Sequence, residues 1–290
     1  VSCVKVREAI ESLKNTNSCD IFEFNIKILK SIKNIIISPL TKLINSCIVN
    51  SVFPDCLKTA VVIPIYKKGN KNDPSNYRPI ALLPIFGKIL ERILHNQLYD
   101  HFESNKLFCV SQYGFRKNRS TTGAVQDLIK FLTSCFEEEQ IGIVSFLDLS
   151  KAFDCVSHNI LLNKMSAYNI DLQSIDLIKS YLSNRSQVVK INDKMSHRLS
   201  IERGVPQGSI LGPLLFLVFI NDLPNHLNSN SVLYADDTTL MNKATSLPTV
   251  VHLSKNTYSK AWNWFHRNEL CLNFDKSVNM FLALKKILIN

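Results

Sequence analysis

The stretch Ser231-Val-Leu-Tyr-Ala-Asp-Asp-Thr-Thr-Leu240 restricts this chain more than any other. Val232, Leu233 and Tyr234 favour a strand, and so do Thr238, Thr239 and Leu240. The two acids between them disfavour a strand and favour a turn. This predicts a β-hairpin with Asp236 and Asp237 at its apex. Adjacent like charges repel, so a fold keeps such a pair only where a counter-ion or open water relieves it. A hard divalent cation is one such counter-ion, because it takes carboxylate oxygens. Alone, an Asp-Asp turn is an ordinary solvated hairpin end, and the rest of the chain decides whether more is meant.

A third carboxylate stands where another strand stops. Ile141 to Leu147 reads as a short buried strand ending at Asp148, followed by Leu149-Ser-Lys-Ala-Phe-Asp154. An acid at a strand-to-helix junction is also a common cap, so Asp148 alone is uninformative, and Asp154 reads as structural. If the strands are neighbours, the three aspartates can hold two cations roughly 3.5–4 Å apart, the spacing that clamps the attacking and leaving oxygens of an in-line displacement. Such chemistry on a triphosphate also needs positive side chains. Thr59 to Gly69 and Asn76 to Leu83 read as two strands of a long hairpin, with Lys67, Lys68, Lys71 and Arg78 near its tip. Lysine supplies point charge to a phosphate and arginine a bidentate fork. The loop Arg203-Gly-Val-Pro-Gln-Gly-Ser-Ile-Leu-Gly-Pro213 allows close backbone approach to a ligand, with Gln207-Gly208 as a floor. These parts together suggest nucleotidyl transfer.

The remainder supplies scaffold. Residues 1–60 read as helical, with Val4 to Leu13 and Ile21 to Ile48 carrying apolar residues at helical spacing and a break and restart at Pro39. Helices follow over Pro84 to His101, up to about Phe136 after the capping Ser120, with breaks to about Leu182, over Leu214 to Asp222, and from Leu247 to Asn268. Gln187 to Asn192 and His197 to Glu202 read as a hairpin around Asp193-Lys194. Gln112 to Thr122 interleaves Arg116, Lys117 and Arg119 with Tyr113 and Phe115, which suits a nucleic-acid track. The net charge of +10 favours a polyanionic partner in the same sense. The eight cysteines form no C-x-x-C pair and read as reduced core thiols of an intracellular protein. The longest apolar run, Ile210 to Ile220, is too short to span a bilayer, so no membrane partner is expected. Trp262 and Trp264 read as core and rim packing.

The motifs resemble, in order, the reverse transcriptase domain of non-LTR (LINE-type) retrotransposons of the Jockey-like group. They are Val62-Ile-Pro-Ile-Tyr-Lys-Lys-Gly69, Asn76-Tyr-Arg-Pro-Ile80, Gln112-Tyr-Gly-Phe-Arg116, Phe146 to Asp154, Gly204 to Phe216 and Tyr234-Ala-Asp-Asp237. The resemblance runs from about residue 20 to residue 280. It implies an α+β right-hand polymerase with fingers and palm, an antiparallel palm sheet packed on helices, and no thumb within the chain. The implied division is a helical N-terminal extension (1–55), fingers with the first palm helix (56–140), and palm (141–290). It also implies roles. Asp148, Asp236 and Asp237 match the metal-binding carboxylates, and the backbone carbonyl of Leu149 matches a further metal contact. Phe153 matches the ring under the sugar that disfavours a 2′-hydroxyl. Gln207 and Gly208 match the loop near incoming base and template, Lys67 or Lys68 with Arg78 the residues on the triphosphate, and Arg116 a fingers position near the template. Lys276 resembles the late palm lysine that protonates the leaving pyrophosphate.

The cofactor implied is Mg2+, two ions, with Mn2+ as a substitute. The partners implied are an RNA template, a DNA primer and dNTPs, at a nuclear or cytoplasmic site. Two departures stand out. The early glycine-bearing stretch of the family is Asn17-Ser-Cys-Asp20 here, and no primer-grip Phe-Leu-Gly follows Lys276. The expectation is therefore a chain cut at both ends. The competing expectation is an inactive element remnant that only binds nucleic acid.

Overall fold

The computed structural model describes residues 1–192, 194–227 and 229–283. The chain divides into two compact units, each assembled from two separate stretches of sequence. One takes Val1–Asn105 with His158–Leu215, the other Lys106–Ser157 with Phe216 onward. Both mix helices with a sheet, the α+β class predicted from sequence.

In the first unit, α1 (Cys3–Ser12) packs on α2 (Ile26–Val49). Lys30 of α2 donates to the carbonyls of Glu11 (3.1 Å) and Leu13 (2.7 Å), satisfying the open C-terminal end of α1. The predicted break at Pro39 is absent, and α2 continues through it. Proline removes the hydrogen bond to the carbonyl of Ile35, but Ile35 is 79% exposed and water can take that carbonyl. On the other face Ile37, Leu40, Thr41 and Ile44 are buried and hold both halves of the helix. Among the described residues α2 is also the one helix long and apolar enough to cross a membrane, a point missed by weighing only Ile210 to Ile220. It carries Lys27, Lys30, Lys33 and Lys42, and it buries Ile26 and Leu29 within its unit.

The loop between α1 and α2 turns on Asp20, which is buried. Its Oδ1 accepts the amides of Phe22 (2.9 Å) and Phe24 (3.1 Å), and its Oδ2 accepts that of Ile85 (2.8 Å). Ile85 opens α3 (Ile85–Ser104), whose N-cap, Pro84, offers no side-chain bond of its own. Asp20 thus ties the loop and caps a helix more than sixty residues on, without the glycine usual in the family nearby. Asp20→Ala strands all three amides, and a destabilisation of about 2–3 kcal/mol is expected from a urea midpoint. A midpoint equal to the wild type would show that the loop is held by something else.

The sheet of this unit contains β1 (Thr59–Tyr66) and β2 (Tyr77–Leu82), antiparallel from Val61↔Leu82 to Tyr66↔Tyr77 as the sequence predicts. The strand β3 (Ile141–Leu147) belongs to the other unit. The later strands here are β4 (Arg185–Ile191), β5 (Lys194–Met195) and β6 (Leu199–Ile201). β4 pairs with β5 and β6 antiparallel, so the second arm of the predicted hairpin comes as two pieces. Asp193, at its predicted apex, lies outside the described residues. β4 also pairs parallel with β1 (Thr59↔Ser186 to Val62↔Val189), which no local pattern announces. The helices α5 (Ala152–Cys155), α6 (His158–Ala167), α7 (Leu172–Leu182), α8 (Gly212–Ile220) and α9 (Leu223–Leu227) complete the middle of the chain.

The second unit is a four-stranded antiparallel sheet in the order β7 (Asn230–Tyr234), β8 (Asp237–Ala244), β3, β9 (Val278–Leu282). Alternation along β3 assigns its faces. Val144 packs with Phe131 and Cys135 of α4 (Thr121–Glu137), while Ile141 and Ile143 pack with Ala244 and with Val250 of α10 (Leu247–Arg267). Covered on both faces, β3 reads as a continuous apolar run. Trp264 is buried and Trp262 half exposed, the reverse of the order in which core and rim were expected, because Trp264 falls on the same face of α10 as the buried Ala261 and Thr257. The cysteines are free, but only Cys135 is buried, and Cys3, Cys19, Cys56 and Cys271 are exposed, so the reading of all as core thiols is corrected. Apolar neighbours in sequence do not imply a core position, because Cys3 opens α1 while Cys19, Cys56 and Cys271 lie in connecting segments.

Candidate active site

Strand register sets the site. β3 and β8 run from Ile141↔Ala244 to Leu147↔Thr238, so one further step brings Asp148 opposite Asp237 at the same end of the sheet. The segment after α10 returns alongside. Leu149 bridges Leu272, flanked by bonds from Ser150 N–H to the Cys271 carbonyl and from Asn273 N–H to the Asp148 carbonyl (both 2.8 Å). In an antiparallel ladder those two bonds leave the carbonyl of Leu149 facing the other way, toward the β8 side. The Asp148 amide donates to Ser277 Oγ (3.3 Å), and Lys276 Nζ stands 3.6 Å from Asp148 Oδ2. The sheet therefore brings together four of the sequence candidates, Asp148, Asp236, Asp237 and Lys276, with Leu149 beside them.

The hairpin differs from expectation by one residue. Tyr234 pairs with Asp237, so the turn is Ala235-Asp236, and Asp237 begins β8 rather than sharing the apex. Ala235 has φ +56°, a left-handed conformation that a side chain disfavours. Gln112, 1% exposed, holds it there: its Oε1 accepts the amides of Ala235 (2.9 Å) and Gly114 (2.8 Å), and its Nε2 donates to the Ala235 carbonyl (3.3 Å). Leu233 exchanges backbone bonds with Ser111 and Tyr113 (both 2.8 Å), so residues 111–114 form a cradle under the turn. Sequence reading quoted Gln112 within a motif and gave it no role. A neutral polar residue directly before Tyr-Gly was the available signal.

Burial raises the pKa of Asp236, and the charges of Asp237 and Asp148 add to it, against backbone hydrogen bonding. Burial raises that of Asp237 as well, then the Asp148 charge, while Lys276 pulls it down. The carboxylates are thus short of positive charge. Asp148 Oδ2 is a buried oxygen that accepts no hydrogen bond. An acceptor with no hydrogen bond, ion-paired only at 3.6 Å with Lys276 and set amid repelling carboxylates, suits a divalent cation, and Asp148, Asp236, Asp237 and the Leu149 carbonyl are the groups that could hold it. The acids do not stand as a closed three-ligand cluster among the described residues.

Phe153, on α5, stacks on Phe216 (centroids 4.5 Å apart) and meets Phe115 edge-on (6.2 Å). Arg116 donates to the Cys109 carbonyl (2.9 Å) and lies over the Phe108 ring (5.0 Å). Tyr113, predicted beside the basic track, does carry Arg119 over its ring (5.0 Å), but it is buried and its hydroxyl bonds Asp127, so it is no open stacking face. The remaining candidates belong to the other unit. Lys67, Lys68 and Arg78 are exposed at the β1–β2 tip. The Lys67 amide bonds the Asn76 carbonyl (2.8 Å), so the ladder runs on past Ile65↔Arg78, and alternation puts Lys67, not Lys68, on the face of Arg78. Gly208 has φ +89°, and a Cβ there would meet the Ala81 carbonyl oxygen at 2.7 Å. The close approach predicted for this loop is thus to its own β2 strand.

A family model described as Reverse transcriptase (RNA-dependent DNA polymerase) matches residues 65–286, and the chain belongs to that family. Within it, the likeness is to the LINE-type, non-LTR elements. The chain is 32% identical over 253 residues to an RNA-directed DNA polymerase from mobile element jockey of Drosophila melanogaster, a match covering 84% of this chain and 28% of that protein. It is 30% identical over 292 residues to a probable RNA-directed DNA polymerase from transposon BS of the same organism, covering 98% and 32%. A probable RNA-directed DNA polymerase from transposon X-element is 28% identical over 89% of this chain and 29% of its own length. The chain therefore spans about a third of the length of the curated relatives it matches.

Proposed function

We propose that this chain is the nucleotide-adding domain of an RNA-directed DNA polymerase, joining dNTPs to a primer 3′-hydroxyl on an RNA template. The convergence of Asp148 with the Asp236–Asp237 hairpin and Lys276 at one sheet end carries the reading. The four-stranded sheet with α4 and α10 serves as palm, and the β1–β2 hairpin as fingers. Asp148, Asp236 and Asp237, with the Leu149 carbonyl, would hold Mg2+ (two ions, with Mn2+ as substitute), which would supply positive charge at the attacking and leaving oxygens.

The primer 3′-hydroxyl gives its proton to solvent as its oxygen attacks the α-phosphorus, and the bond from that phosphorus to the bridging oxygen of the β-phosphate breaks. Lys276 Nζ gives its proton to the departing pyrophosphate oxygen. Lys67 and Arg78, sharing one face, hold the triphosphate. Gln207 and Gly208 meet the incoming base and template, and Arg116 steadies the template side. The family resemblance alone puts this activity at nuclear DNA.

The test is primer extension on poly(rA)/oligo(dT) with magnesium. Incorporation is expected. A chain that binds the duplex and adds nothing is the inactive, binding-only remnant, and the reading falls. Phe153 supports a sharper outcome. A ring stacked on Phe216 fills the space a 2′-hydroxyl needs, so Phe153→Ala is expected to raise ribonucleotide use relative to deoxynucleotides about 100-fold. An unchanged ratio removes Phe153 from sugar selection.

A further inference from the structure

Glu91 lies on α3 with 1% of its surface exposed, among the buried Ile89, Leu90, Ile93 and Leu94. A carboxylate is kept in such surroundings only with compensation. Its Oε2 accepts the amides of Ile210 (2.7 Å) and Leu211 (3.3 Å), the last residues of the glycine-bearing loop before α8. The balancing charge is Arg185, itself 3% exposed, whose Nη1 donates to the Tyr181 carbonyl (3.0 Å) and whose guanidinium lies over the Tyr181 ring (4.9 Å). Burial pushes the Glu91 pKa up, and Arg185 opposes this. The loop is fixed at two further points: His158 Nε2 meets the Gly204 carbonyl (2.8 Å), and Gly208 packs on the Ala81 carbonyl. Between these anchors Gln207 and Gly208 are left exposed.

We propose that Glu91 is a positioning residue: its buried carboxylate, balanced by Arg185, fixes the 203–211 loop in the form that presents Gln207 and Gly208 to the incoming nucleotide. The proposal rests on the polymerase reading for the last clause only. Its first clause concerns the loop itself. A buried acid from a distant helix is an economical anchor, because two amides that α8 cannot satisfy converge on one oxygen.

The experiment compares wild type, Glu91→Ala and Glu91→Gln in the full chain by hydrogen exchange and primer extension. Exchange of the Ile210 and Leu211 amides is expected to quicken about 10- to 100-fold in Glu91→Ala, and only a few-fold in Glu91→Gln, whose amide oxygen still accepts. The dNTP KM is expected to rise about tenfold in Glu91→Ala with primer–template affinity unchanged, and to be largely rescued in Glu91→Gln. Equal exchange in all three proteins overturns the anchor. Faster exchange with an unchanged KM overturns the presentation role. If Glu91→Ala fails to fold, Glu91→Gln decides: exchange at Ile210 and Leu211 equal to wild type refutes the proposal. A wild type that incorporates nothing refutes the polymerase reading, and with it the presentation clause, while exchange still decides the anchor.

Discussion

Asp236→Asn is expected to keep its fold and its hold on an RNA–DNA duplex while losing nucleotide addition by about 10³-fold or more, that is about 4 kcal/mol of barrier. The substitution removes charge and keeps shape. Asp236 sits in a turn fixed by Gln112 through the backbone of Ala235, so its side chain is not part of what holds the hairpin. Without metal, burial first and then the neighbouring acids raise the pKa of Asp236 and Asp237 in the wild type. A carboxyl whose pKa is raised in the fold stabilises below its unfolded pKa and loses that contribution as pH rises through the folded value. At neutral pH, then, the ionised pair works against the fold, and Asp236→Asn in chelator should melt no lower than wild type. Adding magnesium should raise the melting temperature of the wild type and raise it less in the variant. Equal loss of duplex binding and incorporation, or full incorporation by the variant, would sink the assignment.

Gly114→Ala should do comparable damage from outside the acid cluster. A Cβ on Gly114 would lie 2.2 Å from the Ala235 nitrogen and 2.9 Å from its Cα. Both are backbone atoms of a turn already held in a left-handed conformation, and neither can rotate aside. Either the 111–114 cradle moves or the turn does. The displacement should cost about 2–3 kcal/mol of stability and, by moving Asp236 and Asp237 off their positions, about 100-fold in activity. Gly87→Ala is the matched control. It sits within α3, its nearest neighbour would be 3.5 Å away, and a neutral or slightly stabilising effect is expected. Melting curves and extension rates on the three proteins decide the matter. A Gly114→Ala protein with wild-type rates would mean the cradle does not fix the hairpin.

Sequence reading found the elements whose signals are local. β3 comes with both ends, Ile141 and Leu147, because seven apolar or small residues are closed by a turn and an aspartate. α4 comes with its capping Ser120 and α10 with its start at Leu247, while the Ser246 cap of α10 goes unread. What it misplaced was decided by residues far along the chain. The turn falls on Ala235-Asp236 because Gln112, over a hundred residues earlier, holds an alanine where turn chemistry favours asparagine or glycine. α2 passes Pro39 because its buried face outweighs one lost bond. The departure at Asn17 to Asp20 gives no hint of the Asp20 contact with Ile85, which lies far along the chain. The apolar pattern of the Pro84 to His101 helix assigns no role to Glu91, because the loop it anchors is over a hundred residues on.

The discontinuous make-up of the two units bears on synthesis. Each unit has its two stretches of sequence separated by a stretch of the other, so neither is complete when its first half leaves the ribosome. Ser145 of β3 waits for Leu240, roughly a hundred residues and on the order of 5–20 s of translation at ordinary rates. Until then β3 is a nascent apolar strand with two open edges, the state most prone to wrong pairing. Expression of this chain should therefore favour slow elongation, low temperature or a chaperone that shields residues 141–147, and its yield of soluble protein should respond to translation speed more than to the stability of the finished fold.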